Sequence, residues 1–216
     1  MRLYAETKLR FKDVFAVDQE EAVRNQDMAM ESKLEKFHAL YDVTKNLPGF
    51  GYFSHADTSL VIALRNAIHH HEDHQLFQSW NARVFLNGGF KQLSGQKFLL
   101  GSTTPEEYPV VVRFYYRLDD FFARLTAIRN GNKLRTMWEH DLQFSAIEKT
   151  GADEGYPRTH VYVDVMPAFM AAVRRVRGWL ASTGFVPSGF DSETYYEHFG
   201  QPALEERLGF KRLQLP

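Results

Sequence analysis

The sequence contains no cysteine. This absence excludes disulfide bonds, zinc sites built from thiolates and cysteine nucleophiles. No apolar run approaches the roughly 20 residues that a membrane-spanning helix needs, and residues 1–15 lack the apolar stretch of a secretory signal peptide. Taken together, these absences lead us to expect a soluble, cytoplasmic protein that does not associate with membranes.

The chain also lacks a large excess of charge of either sign. It has 26 Lys and Arg residues against 27 Asp and Glu residues, for a formal net charge of −1. A strongly basic chain would indicate nucleic-acid binding, so any RNA contact has to come from a local basic patch. The densest basic segment is RRVR at 174–177, and such a run is most often the solvated face of a helix.

Apolar and aromatic residues, by contrast, are plentiful. Of the 216 residues, 44% are hydrophobic and 14% are aromatic, which is enough to bury one sizeable core. The apolar residues recur mainly at the three-to-four spacing of an amphipathic helix. We therefore predict an all-α fold, a bundle of five or six helices, in a single domain over 1–216. Its core helices would span about 18–150, and a less regular C-terminal part would span about 151–216.

Several helices can be placed from capping signals and periodicity. Asp18 and Glu21 have the spacing of a capping box and start a long amphipathic helix over about 18–46. The next helix begins near Asp57, with Ser54 or Asp57 as its N-cap. At 108–130 the local runs VVV and FYY favour a strand, but the longer apolar period favours a helix. Further predicted elements are a short helix over 76–86, a loop over 88–104, a helix over 134–147, a short strand over 160–165 and a helix that begins at Pro167.

One polar segment, RNAIHHHEDH at 65–74, follows the purely apolar run LVIAL at 60–64. It holds four of the nine histidines of the chain. On a helix, Arg65 and His69 would lie one turn apart on one side, and Asn66 and His70 would form a second such pair. The simplest interpretation is a helix end, because histidines near a C-terminus interact favourably with the helix dipole.

A metal site is a second interpretation of this segment. His70 and His74 form an H-x-x-x-H pair that can chelate one ion, with Asp73, His71 or Glu72 nearby. A third ligand from elsewhere in the chain would be His38 or His140. The order of residues is not that of the zinc metalloproteases, which need Glu directly after the first His.

Acid–base chemistry on RNA is a third interpretation. Cleavage without metal needs one group that moves the proton of the 2′-hydroxyl, and imidazole is suited to that role. It also needs a cation that stabilises the charge growing on the phosphorus centre, and the planar guanidinium provides one. Arg65 together with His70 or His69 would supply both groups.

Residues 65–70, Arg-Asn-Ala-Ile-His-His, match the pattern R-N-x-x-x-H. This pattern resembles the signature of HEPN domains, the higher eukaryotes and prokaryotes nucleotide-binding family. The family is α-helical, and many members are metal-independent endoribonucleases in toxin–antitoxin, abortive-infection and CRISPR systems, whereas others have lost catalysis. The resemblance implies that Arg65 and His70 are the catalytic pair and that Asn66 supports them, with His69 and His71 as alternative histidines. It also implies RNA as the substrate, no cofactor, a homodimer whose two copies complete the site, and an antitoxin or other protein partner.

Other residues compete for these roles. Arg135 and His140 form a second match, but it lacks the Asn after Arg and follows no apolar run, so we interpret it as coincidental. Glu20, Glu21 and Arg24 could face the motif from the long helix, although a capping box and a solvated face explain them better.

The sequence thus predicts a metal-independent endoribonuclease that acts by attack of the 2′-hydroxyl, in a bacterial defence or toxin–antitoxin context. One alternative is a non-catalytic module of the same fold that binds RNA, a nucleotide or a protein. The other is a metal-dependent hydrolase that uses His70, Asp73 and His74.

Overall fold

The computed structural model describes residues 2–70, 79–86, 114–126, 128, 130–201 and 210–212. Most residues in these ranges are helical, which confirms the predicted all-α class. The helices within these ranges are α1 (Arg2–Val17), α2 (Gln19–Thr44), α3 (Ala56–His70), α4 (Trp80–Phe85), α5 (Leu118–Thr126), α6 (Gly131–Asp141), α7 (Phe144–Asp153), α8 (Met166–Ser182) and α9 (Phe190–His198). The short strands β1 (Tyr115–Arg117), β2 (Val161–Asp164) and β3 (Phe210–Arg212) accompany them.

The helix α3 lies in the middle of the hydrophobic core. All five residues of its LVIAL run are buried, because α3 packs against α2 on one side and α8 on another, with α6 also in contact. β2 and α8, which belong to the predicted C-terminal part, contribute Val161, Phe169 and Val176 to the same core. None of the helices in the described ranges combines the length and the apolar character that crossing a bilayer requires.

The three strands form one small antiparallel sheet in the order β1-β2-β3. Tyr116 pairs with Val163, and Val163 pairs in turn with Phe210. Every residue of β2 is buried, because this central strand is covered by the helices. The strand predicted over 160–165 is therefore confirmed.

The helix predicted over 108–130 is wrong in its middle part. Residues 115–117 form β1, and the helix begins only at Leu118; residues 108–113 lie outside the described ranges. Pairing with β2 favours the local strand propensity of the tyrosines over the longer apolar period. Two acidic residues in the first turn of α5 then suit the positive end of the helix dipole, and Arg117 Nε donates to Asp120 Oδ1 over 2.8 Å.

The helix predicted over 134–147 is also divided into two. α6 ends at Asp141 and α7 begins at Phe144, because Gln143 between them has a left-handed φ of 56°. The sequence patterns do not predict α1 and α9. Together with this division, these two helices explain why the described ranges hold nine helices rather than the five or six expected.

Capping predictions are confirmed at one helix and wrong at another. The Asp18 side chain accepts a hydrogen bond from the Glu21 backbone N–H over 3.0 Å and starts α2 as expected. α3 begins at Ala56, so Ser54 ends the preceding 3₁₀ turn and Asp57 lies inside the first helical turn. Neither residue is therefore the N-cap of α3. At α8, Pro167 lies in the first turn as predicted.

The basic segment at 174–177 is more than a solvated face. Arg175 Nε donates to both carboxylate oxygens of the buried Asp57, over 3.0 and 2.9 Å, and so ties α8 to the start of α3. Arg177 Nε donates to the backbone carbonyl of Tyr196 over 3.1 Å and ties α8 to α9. At least two of its three arginines therefore hold the bundle together.

Candidate functional site

Arg65 and His69 lie on the same side of α3, one turn apart, as their spacing predicts. Both contact one carboxylate, that of Glu35 on α2. Arg65 Nε donates to Glu35 Oε1 over 3.1 Å and Arg65 Nη2 donates to Oε2 over 2.8 Å, which is a bidentate pair. His69 Nδ1 lies 3.2 Å from Glu35 Oε1. Glu35 therefore fixes a guanidinium and an imidazole next to each other.

Asn66 also contacts the guanidinium. Its side-chain oxygen accepts a hydrogen bond from Arg65 Nη1 over 3.3 Å. Arginine has five N–H groups, and the three bonds to Glu35 and Asn66 use three of them. The other two have no partner among the residues that the structure describes. The Arg65 side chain is only 13% exposed. Its burial and its three hydrogen bonds together hold the guanidinium in a fixed orientation.

A second histidine, His38, lies one turn along α2 from Glu35. Its Nδ1 is 3.1 Å from Oδ2 of Asp42, and its ring meets the edge of Tyr41. Burial of the imidazole, followed by the nearby charge of Arg65, lowers the pKa of His38 below its usual value. At neutral pH this histidine is therefore uncharged, and a neutral imidazole can take up a proton.

Glu35 remains ionised at neutral pH. Its hydrogen bond from Arg65 lowers its pKa, and the charge of Arg65 acts in the same direction. A carboxylate paired with Nδ1 of a histidine fixes the orientation of the ring. The cluster thus combines an anchored cation, the Glu35 carboxylate that contacts both this cation and His69, and a second imidazole, His38, paired with Asp42.

A cavity of about 350 Å³ is lined by residues of α2 and α3 that lie about one helical turn from this cluster. Glu31 lines it from α2, one turn before Glu35, and Ile68 lines it from α3, one turn after Arg65. Asp27 also lines the cavity, and burial raises the pKa of its carboxyl group to about 6. The volume falls within the range of about 300–1,000 Å³ that is typical of small-molecule sites, although Arg65, Glu35 and His69 are not among the described residues that line the cavity.

Some of the predicted site residues lie in the described part of the chain and others lie outside it. Arg65, Asn66 and His69 come together as described above. The backbone of His70 ends α3, but its side chain and the whole of His71 lie outside the described part of the chain. The pairing of Arg65 with His70 therefore stays a prediction.

The predicted metal ligands are mostly outside the described ranges too. Asp73 and His74 fall in the segment 71–78. Among the described residues, no group of three or more His, Cys, Asp or Glu side chains is arranged to hold a metal ion. His38 pairs with Asp42, and His140 on α6 pairs with the adjacent Asp141.

Glu35 and Asp42 are not among the site residues that the sequence predicts, and His38 is predicted only as a metal ligand. The signal that identifies these residues is a polar stripe on α2 at helical spacing, in contrast with the apolar stripe that predicts the helix. The stripe consists of Asp27, Glu31, Glu35, His38 and Asp42. The candidates considered instead lie near the start of α2, where Arg24 pairs with Glu20 over 3.8 Å and Glu21 accepts from Asn25.

The second R-x-x-x-x-H match has a different environment. Arg135 Nε donates to Glu139 over 3.0 Å, and its guanidinium lies 4.8 Å from the ring centroid of Phe122. His140 is largely exposed and pairs with Asp141. These two residues share no partner within the described ranges, which is consistent with a coincidental match.

Compared with protein-family models, curated proteins and solved structures, the chain matches none of them. The resemblance to HEPN domains therefore rests on residues 65–70 and on the helical fold.

Proposed function

We propose that this protein is a metal-independent endoribonuclease of the HEPN type, with Arg65 as the cation that stabilises the transition state. One observation carries the proposal. A single carboxylate, Glu35, holds the guanidinium of Arg65 and the imidazole of His69 together. This arrangement supplies both groups that cleavage of RNA without metal requires.

The chemistry follows the usual course of attack by a neighbouring hydroxyl. A histidine accepts the proton of the 2′-hydroxyl, and the 2′-oxygen forms a bond to phosphorus. The bond from phosphorus to the 5′-oxygen then breaks, and that oxygen leaves with a proton from a second acid. The two remaining N–H groups of Arg65 donate to the phosphoryl oxygens as their charge grows. The products are a 2′,3′-cyclic phosphate and a 5′-hydroxyl.

Three histidines are candidates for the proton transfers. His69 is the one that the structure places beside Glu35, and His70 is the one that the resemblance implies. His38 is kept neutral by burial and by Arg65, which suits a general base. Asn66 would hold the guanidinium in position through its hydrogen bond to Nη1.

The biological setting belongs to the same proposal. A homodimer would bring two copies of the cluster together, as in active HEPN proteins, and a protein partner or antitoxin would control it in a defence or toxin–antitoxin system. With a net charge of −1, the chain offers RNA no general electrostatic attraction. Binding would therefore depend on the cluster and on the surface that dimerisation creates.

A non-catalytic binding module is the second candidate, and one observation favours it. The negative charge of Glu35 balances the positive charge of Arg65 in the bidentate pair. With the further bond to Asn66, only two N–H groups of Arg65 are left for a ligand. Such an arginine could contribute to binding of RNA or a nucleotide without chemistry.

The test is cleavage of mixed RNA in the presence of EDTA by the purified protein and its variants. We expect the wild type to cleave RNA. Arg65→Ala and an alanine variant at the histidine that moves the proton should lose roughly 100-fold or more of the rate, since general acid–base catalysis contributes about 10²–10⁴-fold. His69→Ala, His70→Ala and His38→Ala compared side by side identify that histidine.

Arg135→Ala and His140→Ala are the matched controls, because they remove the same residue types at the same spacing outside the cluster. Both should retain the wild-type rate. Cleavage that appears only after a divalent metal is added would support the hydrolase that uses His70, Asp73 and His74. If neither the wild type nor any variant cleaves RNA, but the wild type still binds it, the result would support the non-catalytic binding module. Cleavage that survives Arg65→Ala unchanged would remove the cluster from the active site.

A further inference from the structure

Two aromatic rings lie beside the candidate site, where α2 ends and the chain turns toward α3. They belong to Tyr41 on α2 and to Phe53 on the 3₁₀ turn Tyr52–Ser54. Their centroids are 6.0 Å apart and their planes are nearly perpendicular, at 89°. Phe53 is 41% exposed, so part of a large apolar ring is open to solvent. We refer to Tyr41 and Phe53 together as the aromatic ledge.

The aromatic ledge is connected to the candidate site through His38. The centroids of the His38 and Tyr41 rings are 5.4 Å apart, and Arg65 is close enough for its charge to lower the pKa of His38. Tyr41 follows Glu35 by six residues on α2, which corresponds to about 9 Å along the helix axis. A group bound on the ledge would therefore lie close to a phosphate bound by Arg65.

The turn that carries Phe53 is fixed on both sides. Tyr52 is buried, and its hydroxyl lies 2.6 Å from Thr44 Oγ1 at the end of α2. On α3, Thr58 Oγ1 donates to the carbonyl of Tyr52. Because the turn cannot move without breaking these buried hydrogen bonds, Phe53 is held in position before a ligand arrives.

Packing of the core does not account for the position of Phe53. The core takes Tyr52 from this turn, and Tyr41 packs against the core from its edge. Phe53 belongs to neither group, and Tyr41 is the one aromatic ring that it contacts within the described ranges. The exposed surface of Phe53 is therefore available to a ligand without any change in the core.

The charges around the aromatic ledge indicate what kind of ligand fits. Lys45 Nζ lies 5.3 Å from the centroid of the Tyr41 ring and also donates to Asp42 over 2.9 Å. The charges of these two side chains balance, as do those of Arg65 and Glu35, so charge alone attracts RNA only weakly here. An aromatic ring, in contrast, can stack on any nucleobase. In a duplex the faces of the bases are covered by their neighbours, so the ledge suits an unpaired base.

We propose that the aromatic ledge binds an unpaired nucleobase of the RNA substrate, stacked on Phe53, close to the phosphate that Arg65 contacts. This inference rests on the proposed function and narrows its substrate class to single-stranded RNA. Stacking supplies affinity that the balanced charges do not. Tyr41 is a positioning residue, because its perpendicular contact supports the Phe53 ring.

The experiment is fluorescence anisotropy of the full chain with a short, labelled 2′-O-methyl oligonucleotide. This probe lacks the attacking hydroxyl, so its binding is measured without chemistry. We expect the single strand to bind and the same sequence in a duplex to bind at least tenfold more weakly. Phe53→Ala should weaken binding of the single strand about five- to 100-fold, which is the range expected for the loss of one stacked base.

Phe185→Ala is the matched control. Phe185, between α8 and α9, is 48% exposed, and its ring centroid also lies 6.0 Å from that of a tyrosine, Tyr196. This variant should bind the single strand as the wild type does. Phe53→Trp should keep the affinity, and the oligonucleotide should quench the fluorescence of the added indole, which a purely structural role of Phe53 would not produce. Thermal unfolding checks that each variant is folded, and Phe53→Trp remains informative if Phe53→Ala is not.

Four results would overturn the inference: no binding of the single strand, equal affinity for single strand and duplex, unchanged affinity in Phe53→Ala, or an equal loss in Phe185→Ala. The nuclease proposal is tested separately by cleavage in EDTA. If the wild type binds the single strand as expected but cleaves no RNA, the aromatic ledge is supported and the nuclease is contradicted. If Phe53→Ala cleaves RNA with the KM of the wild type, the nuclease is supported and the aromatic ledge is contradicted.

Discussion

Replacement of Glu35 by Gln tests whether this carboxylate organises the candidate site. The change keeps the size of the side chain but removes its charge and one of its acceptor oxygens. Arg65 then loses at least one of two charge-assisted hydrogen bonds, while its guanidinium, only 13% exposed, stays largely covered. The variant should therefore be less stable than the wild type at neutral pH.

The magnitude follows from the geometry and the exposure of the pair. Hydrogen bonds to charged groups contribute about 1.5–3 kcal/mol when they are buried, whereas exposed ion pairs contribute about 0–1 kcal/mol. Glu35 is 44% exposed, so solvent screening places the loss near 1–2 kcal/mol for the bidentate pair. For a chain of this size each kcal/mol lowers the melting temperature by about 2–4 °C.

The effect should also depend on pH in a defined direction. The pKa of Glu35 is lowered in the folded protein, so its ionised form stabilises the fold above the unfolded value of 4.5. That stabilisation is lost as the pH falls through the lowered folded value. Urea unfolding at pH 7 should therefore separate the wild type from Glu35→Gln, and the two curves should approach each other below pH 4.5.

Glu139→Gln is the matched control for this experiment. Glu139 receives one hydrogen bond from Arg135, four residues earlier on the same helix, and both side chains are substantially exposed. Its loss should cost only about 0.3–0.5 kcal/mol. Equal effects of the two substitutions, or a difference between wild type and Glu35→Gln that stays constant down to pH 4, would refute the reasoning.

Three further predictions concern stability. Asp27→Asn should raise the free energy of unfolding at pH 8 by up to about 3 kcal/mol, because burial raises the pKa of this carboxyl to about 6 and each pKa unit corresponds to about 1.36 kcal/mol. Urea unfolding should show that this gain in stability fades as the pH falls from 6 to 4. An equal gain at pH 8 and at pH 4 would contradict the prediction. Ser59→Ala should lower the free energy of unfolding by about 1–3 kcal/mol in the same assay. Trp138 Nε1 donates to Ser59 Oγ over 2.9 Å in the core, and the substitution would leave this N–H group unpaired. Unchanged stability would count against this hydrogen bond. Gly131→Ala should lower the melting temperature by several degrees, because a Cβ atom there would lie 1.9 Å from the Leu125 backbone oxygen. An unchanged melting temperature would contradict this prediction.

The helices that the sequence predicts best are those whose stability depends on a continuous apolar stripe. α2 and α3 are of this kind, and their bounds lie close to the expected ones. The strand β1 could not be predicted in the same way, because Tyr115 pairs with Asp164, far along the chain. Local propensity and periodicity disagree at 115–117, and only the presence of β2 decides between them.

The candidate site was predictable only as far as it lies on one helix. The i, i+4 relation of Arg65 and His69 follows from the helical repeat. Glu35, which connects them, lies thirty residues earlier on another helix, and its position depends on how α2 packs against α3. A polar stripe along α2 identifies candidate residues but not the one that faces Arg65.

The most direct measurement of the proposed function is the chemical nature of the RNA ends that the protein produces in EDTA. Attack by the 2′-hydroxyl leaves a 2′,3′-cyclic phosphate and a 5′-hydroxyl, which mass spectrometry of a short defined RNA distinguishes from other ends. The proposal predicts these two ends with the wild type and intact RNA with Arg65→Ala. A 3′-hydroxyl with a 5′-phosphate, or cyclic phosphate ends that persist in Arg65→Ala, would contradict it.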